Sequence, residues 1–293
     1  MSLRFSYEMH PNPPPAMGWE EYESHVSKAW DVCLAAASSE GEVQRFLEEY
    51  PCLVPGGPGW ENTEGVGHHQ PYQNTLISQP PLNGPISRIP DFMWMTWDSA
   101  TVRPVLIEIE KPTKKWFTKK GQPTADLTQA RTQLDDWRVW LNKNETGFRE
   151  KYRLDDVTYG GKAFVPRFIL VYGRRSEAAD NPLANERRGL SDHAGTTSMT
   201  YDRLTPKYEA RCAITVSCSG SGKPKVMHVP PTFVVGPHVA EALIANTGWE
   251  RAINHSSLMS EKRKDFLLER IRYWSEWARD NSTMKIMAGN AFE

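Results

Sequence analysis

Apolar residues recur at helical spacing over residues 20–37, where Tyr22, Val26, Trp30, Cys33 and Leu34 share one face, and the pattern predicts a first amphipathic helix ended by Ser38-Ser39. Residues 40–50 predict a second, shorter helix with Val43, Phe46 and Leu47 on one side, stopped by Pro51. A Gly- and Pro-rich loop follows at 55–59, and the period then changes. Apolar runs over 86–97 and 102–109, parted by Asp98-Ser99, predict a β-hairpin. Helical spacing returns over 125–142, with Leu127, Ala130, Leu134, Trp137 and Leu141 on one face. The unbroken apolar run at 164–172 predicts a buried strand, the polar stretch 176–193 a short helix, and 198–204 another strand. Residues 207–229 read as a hairpin turning at Ser219-Gly220-Ser221-Gly222, and the remainder is mainly helical, notably 239–245 and 261–280. On the last helix Leu267, Ile271, Trp274 and Trp277 form an apolar stripe expected to pack on the same chain. Residues 1–16, with Pro11 and Pro13-Pro14-Pro15, predict an extended arm rather than a packed element. Helices interleaved with strands in this order predict an α/β domain with a central sheet covered by helices.

Within the predicted hairpin, acidic side chains interrupt two apolar runs: Ile89-Pro90-Asp91-Phe92, and Val105-Leu106-Ile107-Glu108-Ile109-Glu110-Lys111-Pro112. Alternation along a strand points Glu108 and Glu110 to one face and Lys111 to the other, and a neighbouring strand brings Asp91 beside them. Clustered carboxylates repel one another unless a cation lies between them, and oxygen-only clusters suit Mg²⁺ or Mn²⁺. A strand edge carrying ordinary charges explains the same residues about equally well. Lys111 returns to the acidic face only if a bulge precedes Pro112. Lys114, Lys115, Lys119 and Lys120, interleaved with Trp116 and Phe117, suit a loop that contacts a nucleic-acid backbone, or simply a solvated basic loop. Gln129, Gln133 and Trp137 lie one turn apart on the 125–142 helix, so that face can present amides beside the acids.

Other chemistries find little footing. His68-His69 has no third ligand at zinc spacing. Gly220-Ser221-Gly222-Lys223 is followed by Pro224, with Ser217 where a phosphate loop needs its first glycine. No GxSxG occurs, and the four cysteines (Cys33, Cys52, Cys212, Cys218) form no CxxC and have no His partner in a motif. They suggest a reduced, cytoplasmic protein, and the start of the sequence has no basic, apolar leader. No apolar run approaches the roughly 18 residues of a membrane span. The net charge of −1 gives no global basic excess, so any nucleic-acid surface must be a local patch.

With these residues in place, the chain resembles the PD-(D/E)xK nuclease superfamily and, within it, the Shedu antiphage-defence nucleases. Pro90-Asp91 matches the PD half and Glu108-Ile109-Glu110 occupies the (D/E)xK half. Phe46-Leu47 before Pro51, the helix from Gln133 to Trp137, the strand ending in Tyr172-Gly173-Arg174, and Thr200-Tyr201-Asp202-Arg203-Leu204 are similar to further blocks of the Shedu domain. The resemblance implies a PD-(D/E)xK restriction-endonuclease-like core, a central mixed sheet flanked by helices, over residues 40–205. An N-terminal arm and helix (1–39) would precede it and a mainly helical C-terminal appendage (206–293) follow. It also implies an Mg²⁺- or Mn²⁺-dependent deoxyribonuclease acting on invading DNA, with a homo-oligomer, dimer or tetramer, as the working form. Asp91, Glu108 and Glu110 would take the metal, Lys111 would stabilise charge, and Gln133 would position water or phosphate. Glu48 or Glu49 is a further candidate ligand, and Lys114, Lys115, Lys119 and Lys120 are candidate DNA contacts. The family's lysine is replaced here by Glu110, which adds a ligand and removes a cation. Two rival readings follow: a nuclease fold that binds DNA ends or a partner protein without cleaving, and an assembly protein working through its tryptophan-bearing C-terminal helices.

Overall fold

The computed structural model describes residues 7–60, 72–82, 89–155, 159–177, 186–187, 192, 195–218, 222–280 and 293. His68, His69, Ser219, Gly220, Ser221 and most of the 176–193 stretch lie outside the described residues. The described strands are β1 (Thr75–Ser78), β2 (Phe92–Trp97), β3 (Thr101–Ile109), β4 (Ala163–Phe164), β5 (Arg167–Val171), β6 (Thr196–Met199), β7 (Ile214–Ser217) and β8 (Lys225–His228). They form one sheet in the order β6-β5-β3-β2-β1-β7-β8, with β4 also paired to β3. The expected hairpin is β2–β3, antiparallel with Phe92 opposite Ile107. The β3–β5, β5–β6 and β1–β7 pairs are parallel, so the sheet is mixed.

Alternation along β3 divides the core in two. Leu106 joins a cluster with Leu134 and Trp137 of α3 (Ala125–Lys151) and with Leu243, Ile253, Leu267 and Trp274 of α4 (Ala240–Ala245), α5 (Trp249–His255) and α6 (Glu261–Asp280). Ile107 joins a second cluster on the opposite face, with Tyr22, Val26 and Trp30 of α1 (Trp19–Ala36) and Val43 and Leu47 of α2 (Glu40–Glu49). Helices therefore cover both faces, as the apolar stripes require. Leu267 and Trp274 of the C-terminal stripe are fully buried in the first cluster.

Several elements differ from the sequence expectation. The apolar run at 164–172 is split into β4 and β5 by Val165-Pro166, because proline brings no N–H to a ladder. The strand expected at 198–204 is already under way at Thr196 and ends at Met199, giving way to a 3-10 turn at Tyr201–Arg203. α3 runs past its expected end, with a non-helical break at Asn144. β1 was not foreseen, since four residues buried on both faces carry no alternation. Because β7 pairs with β1, the sheet runs unbroken across the boundary expected at residue 205.

The arm is extended as expected, but it is packed. The Tyr7 ring lies 5.5 Å from that of Trp274, Arg270 donates to the Glu8 carbonyl at 2.6 Å, and buried Arg263 donates to the Pro14 carbonyl at 2.7 Å. Ring contacts and charged donors fasten it along α6 without an α-helix or strand of its own, since its prolines bring no N–H to a helix or a ladder.

Candidate active site

Three of the carboxylates singled out in the sequence meet where β2 begins and β3 ends. The chain steps by one residue at Asp91, whose amide donates to the carbonyl of Ile107 at 3.1 Å although Ile107 already faces Phe92. This step turns Asp91 against the neighbouring strand, where its Oδ2 accepts from the Ile109 amide at 2.8 Å. Glu108 stands beside it in β3, and Gln133 reaches down from α3 so that its Nε2 donates to Glu108 Oε1 at 2.6 Å. Asp91, Glu108 and Glu110 are 8%, 7% and 9% exposed, so each lies in surroundings that disfavour its charge.

Glu108 Oε2 is buried, and among the described residues no donor reaches it. Its carboxyl lies within hydrogen-bonding reach of that of Asp91. Two carboxylates can share such a contact only with a proton or a cation between them. Burial pushes Glu108 up to about 11, with the Asp91 charge adding to the effect. Burial likewise raises Asp91 to about 7, the Ile109 amide pulling the other way and Glu40 pushing up again. The pair therefore retains a proton at neutral pH when no cation is bound.

Glu110 closes the strand differently. Its Oε2 accepts from Lys114 Nζ at 2.6 Å, and Lys114 lies 3.8 Å from Asp126 in the first turn of α3. The buried Tyr201 hydroxyl donates to the Glu110 carbonyl at 2.5 Å and the Glu110 amide donates to Val171 at 3.0 Å, so the backbone is held from two sides. Glu40, the first residue of α2, also faces this cluster. Burial raises its pKa, and the neighbouring Glu110 carboxylate raises it further.

The structure thus brings together Asp91, Glu108, Glu110 and Gln133. Among the described residues the Lys111 side chain has no ion pair or hydrogen bond with them. The backbone irregularity falls at Asp91, on the other strand. Glu48 accepts from the hydroxyl of Ser78, the β1 residue opposite Phe92, at 2.6 Å, and Glu49 lies toward Tyr50 and His228. Lys115, Lys119 and Lys120 are exposed on the 110–124 loop, whereas Trp116 and Phe117 are buried in the core and unavailable for stacking on bases. Glu177 fixes that loop by accepting from the amides of Trp116 and Phe117 at 2.9 and 3.1 Å. Sequence reasoning missed Glu40, which reads there as an ordinary acid in a helical first turn. It also placed Lys114 among the DNA contacts and not beside the acids.

Among the described residues, no three His, Cys, Asp or Glu side chains stand together as a ready-made metal cage. Mg²⁺ commonly needs none, because it keeps several waters and takes only one or two carboxylates from the protein. Asp91 and Glu108, both buried and with Glu108 Oε2 unpartnered among the described residues, fit that requirement.

Fold and site define an α/β protein with a buried carboxylate pair at the end of a central strand, steadied by an amide from the covering helix. Residues 37–205, more than half of the chain, match the family described as Shedu protein SduA, C-terminal, and the chain belongs to that family. The matched segment contains every residue of the cluster. No curated protein matches the chain. Among the described residues no helix is long and apolar enough to cross a membrane.

Proposed function

We propose that this protein is a metal-dependent DNA endonuclease of the PD-(D/E)xK kind, acting against invading DNA in antiphage defence. The observation that carries the reading is the Glu108–Asp91 pair, buried inside the family-matched segment with one oxygen that no donor reaches among the described residues. A structural ion pair would have been completed by a basic side chain. A carboxylate pair buried at a considerable energetic cost, with no basic side chain between its members, fits a cation site. The mixed sheet, with Asp91 at the entry to β2, Glu108 in the adjacent β3 and helices on both faces, supports the nuclease fold. Exposed Lys115, Lys119 and Lys120, on the loop that leaves the site after Glu110, support contact with a phosphate backbone.

Asp91 and Glu108 would hold Mg²⁺ or Mn²⁺, which when bound polarises the phosphate and activates water. Hydrolysis forms a bond from the water oxygen to phosphorus and breaks one to a sugar oxygen. The water's proton leaves to solvent and the departing oxygen takes one up. Gln133 keeps Glu108 turned toward Asp91, and Tyr201 fixes the backbone from which Glu110 projects.

A second reading, a nuclease fold that binds DNA without cutting it, draws on one observation: Glu110 is tied to Lys114 and not aimed at Asp91. Incubation of supercoiled and linear DNA with Mg²⁺ or Mn²⁺ decides between them. Cleavage by the wild type that disappears in Asp91→Ala and Glu108→Ala is expected. Equal cleavage by all three refutes the site, and retention of DNA without cleavage favours the second reading.

A further inference from the structure

The geometry points to Lys114, and not Lys111, as the lysine of this site, holding Glu110 in place and contacting the phosphate to be cut; this rests on the nuclease reading above. The 110–124 loop does not carry Lys114 to the acids by chance. Its amide donates to the Lys111 carbonyl at 3.0 Å, turning the chain back immediately after the strand. The Thr124 hydroxyl donates to the Lys115 carbonyl at 2.7 Å, tying the next residue to the start of α3. Gly173, with φ +59, lies so close beneath that a Cβ there would come within 2.7 Å of the Lys114 carbonyl. The loop backbone is thus seated where only a glycine lets it sit.

At the end of this turn Nζ reaches back 2.6 Å to Glu110 Oε2. An ammonium has three N–H donors; Glu110 takes one, and Asp126 at 3.8 Å is beyond hydrogen-bond range. The Lys114 side chain is 28% exposed, so an incoming ligand can reach it while Glu110 holds one of its donors. Among the described residues, it is the ammonium in contact with one of four clustered acids, Asp91, Glu108, Glu110 and Glu40. The lysine's usual electrostatic work would then be done from a loop four residues downstream, with Glu110 at the motif position serving as its anchor.

Lys114→Met, Lys114→Arg and Lys111→Met proteins, matched to the wild type by thermal melting, test this in two assays. In Mg²⁺, Lys114→Met should lower kcat by roughly a hundredfold, Lys114→Arg should recover part of the loss, and Lys111→Met should lose less than Lys114→Met. In Ca²⁺, with a duplex oligonucleotide, Lys114→Met should flatten the slope of log affinity against log salt by about one phosphate contact. A wild type that binds but does not cleave, with the slope still reduced by Lys114→Met, overturns the nuclease reading and leaves the phosphate contact standing. A slope unchanged by Lys114→Met, a wild type that binds no DNA, or a larger loss from Lys111→Met than from Lys114→Met overturns the assignment of Lys114.

Discussion

Glu108→Gln should make the metal-free protein more stable while abolishing its chemistry. The folded protein keeps Glu108 protonated because burial, reinforced by Asp91, pushes its pKa to about 11, whereas the unfolded chain ionises near the ordinary value of 4.5. A carboxyl raised in this way contributes stability below its unfolded pKa and loses it as pH rises toward the folded value. The loss is about 1.4 kcal/mol for each pH unit over which only the unfolded chain gives up the proton. Between about pH 5 and pH 8 that amounts to at most ~4 kcal/mol, which water entry and side-chain relaxation reduce to about 1–2 kcal/mol. A glutamine carries no such cost. Its amide can donate to Asp91, and its carbonyl still accepts from Gln133. For a chain of this size the gain corresponds to a rise in melting temperature of about 2–6 °C near pH 8. Melting in EDTA by calorimetry across that range is the assay. The variant should coincide with the wild type near pH 5 and pull ahead as pH rises. A Glu108→Gln protein that is less stable than the wild type at the upper end, or displaced equally at every pH, would refute the reasoning.

Other expectations follow from the same contacts. Gln133→Leu removes the donor to Glu108 Oε1 at 2.6 Å and should cost about 1–3 kcal/mol in urea unfolding, together with DNA cleavage. Gly173→Ala sets a Cβ against the Lys114 carbonyl at a φ of +59, which should cost about 1–3 kcal/mol and lower cleavage more than Gly161→Ala, where a Cβ meets nothing within 4 Å. Tyr201→Phe leaves the Glu110 carbonyl without its 2.5 Å donor and should lower stability by about 1–2 kcal/mol, measured by urea unfolding.

The parts of this site legible in the sequence are those fixed by period. Strand alternation places Glu108 on the face of Leu106, and helical spacing brings Gln133 onto the face of α3 that meets it. Period says nothing of what a loop does after a strand ends. The return of Lys114 to Glu110 depends on a turn closed between Lys111 and Lys114 and on the space left by Gly173. Glu40 is brought in by the docking of α2, which the spacing within that helix cannot reveal. The split at Pro166 carried a local signal, since proline inside an apolar run disfavours a continuous strand. The pairing of β7 with β1 had none, because partners far apart in sequence are chosen by the assembled sheet. Trp116 and Phe117 show the same limit: beside basic residues they suggest a DNA-facing loop, yet their rings are the means by which the loop is fastened to the core.

The central claim is that Asp91 and Glu108 are held together in readiness for a divalent cation. Titration of the wild type and Asp91→Asn with Mn²⁺, followed calorimetrically, measures this without relying on cleavage. The wild type should bind the ion with release of a proton from the pair, and Asp91→Asn, matched in shape but unable to offer a carboxylate, should lose at least about tenfold in affinity. Equal binding by the two proteins, or none by the wild type, would contradict the account.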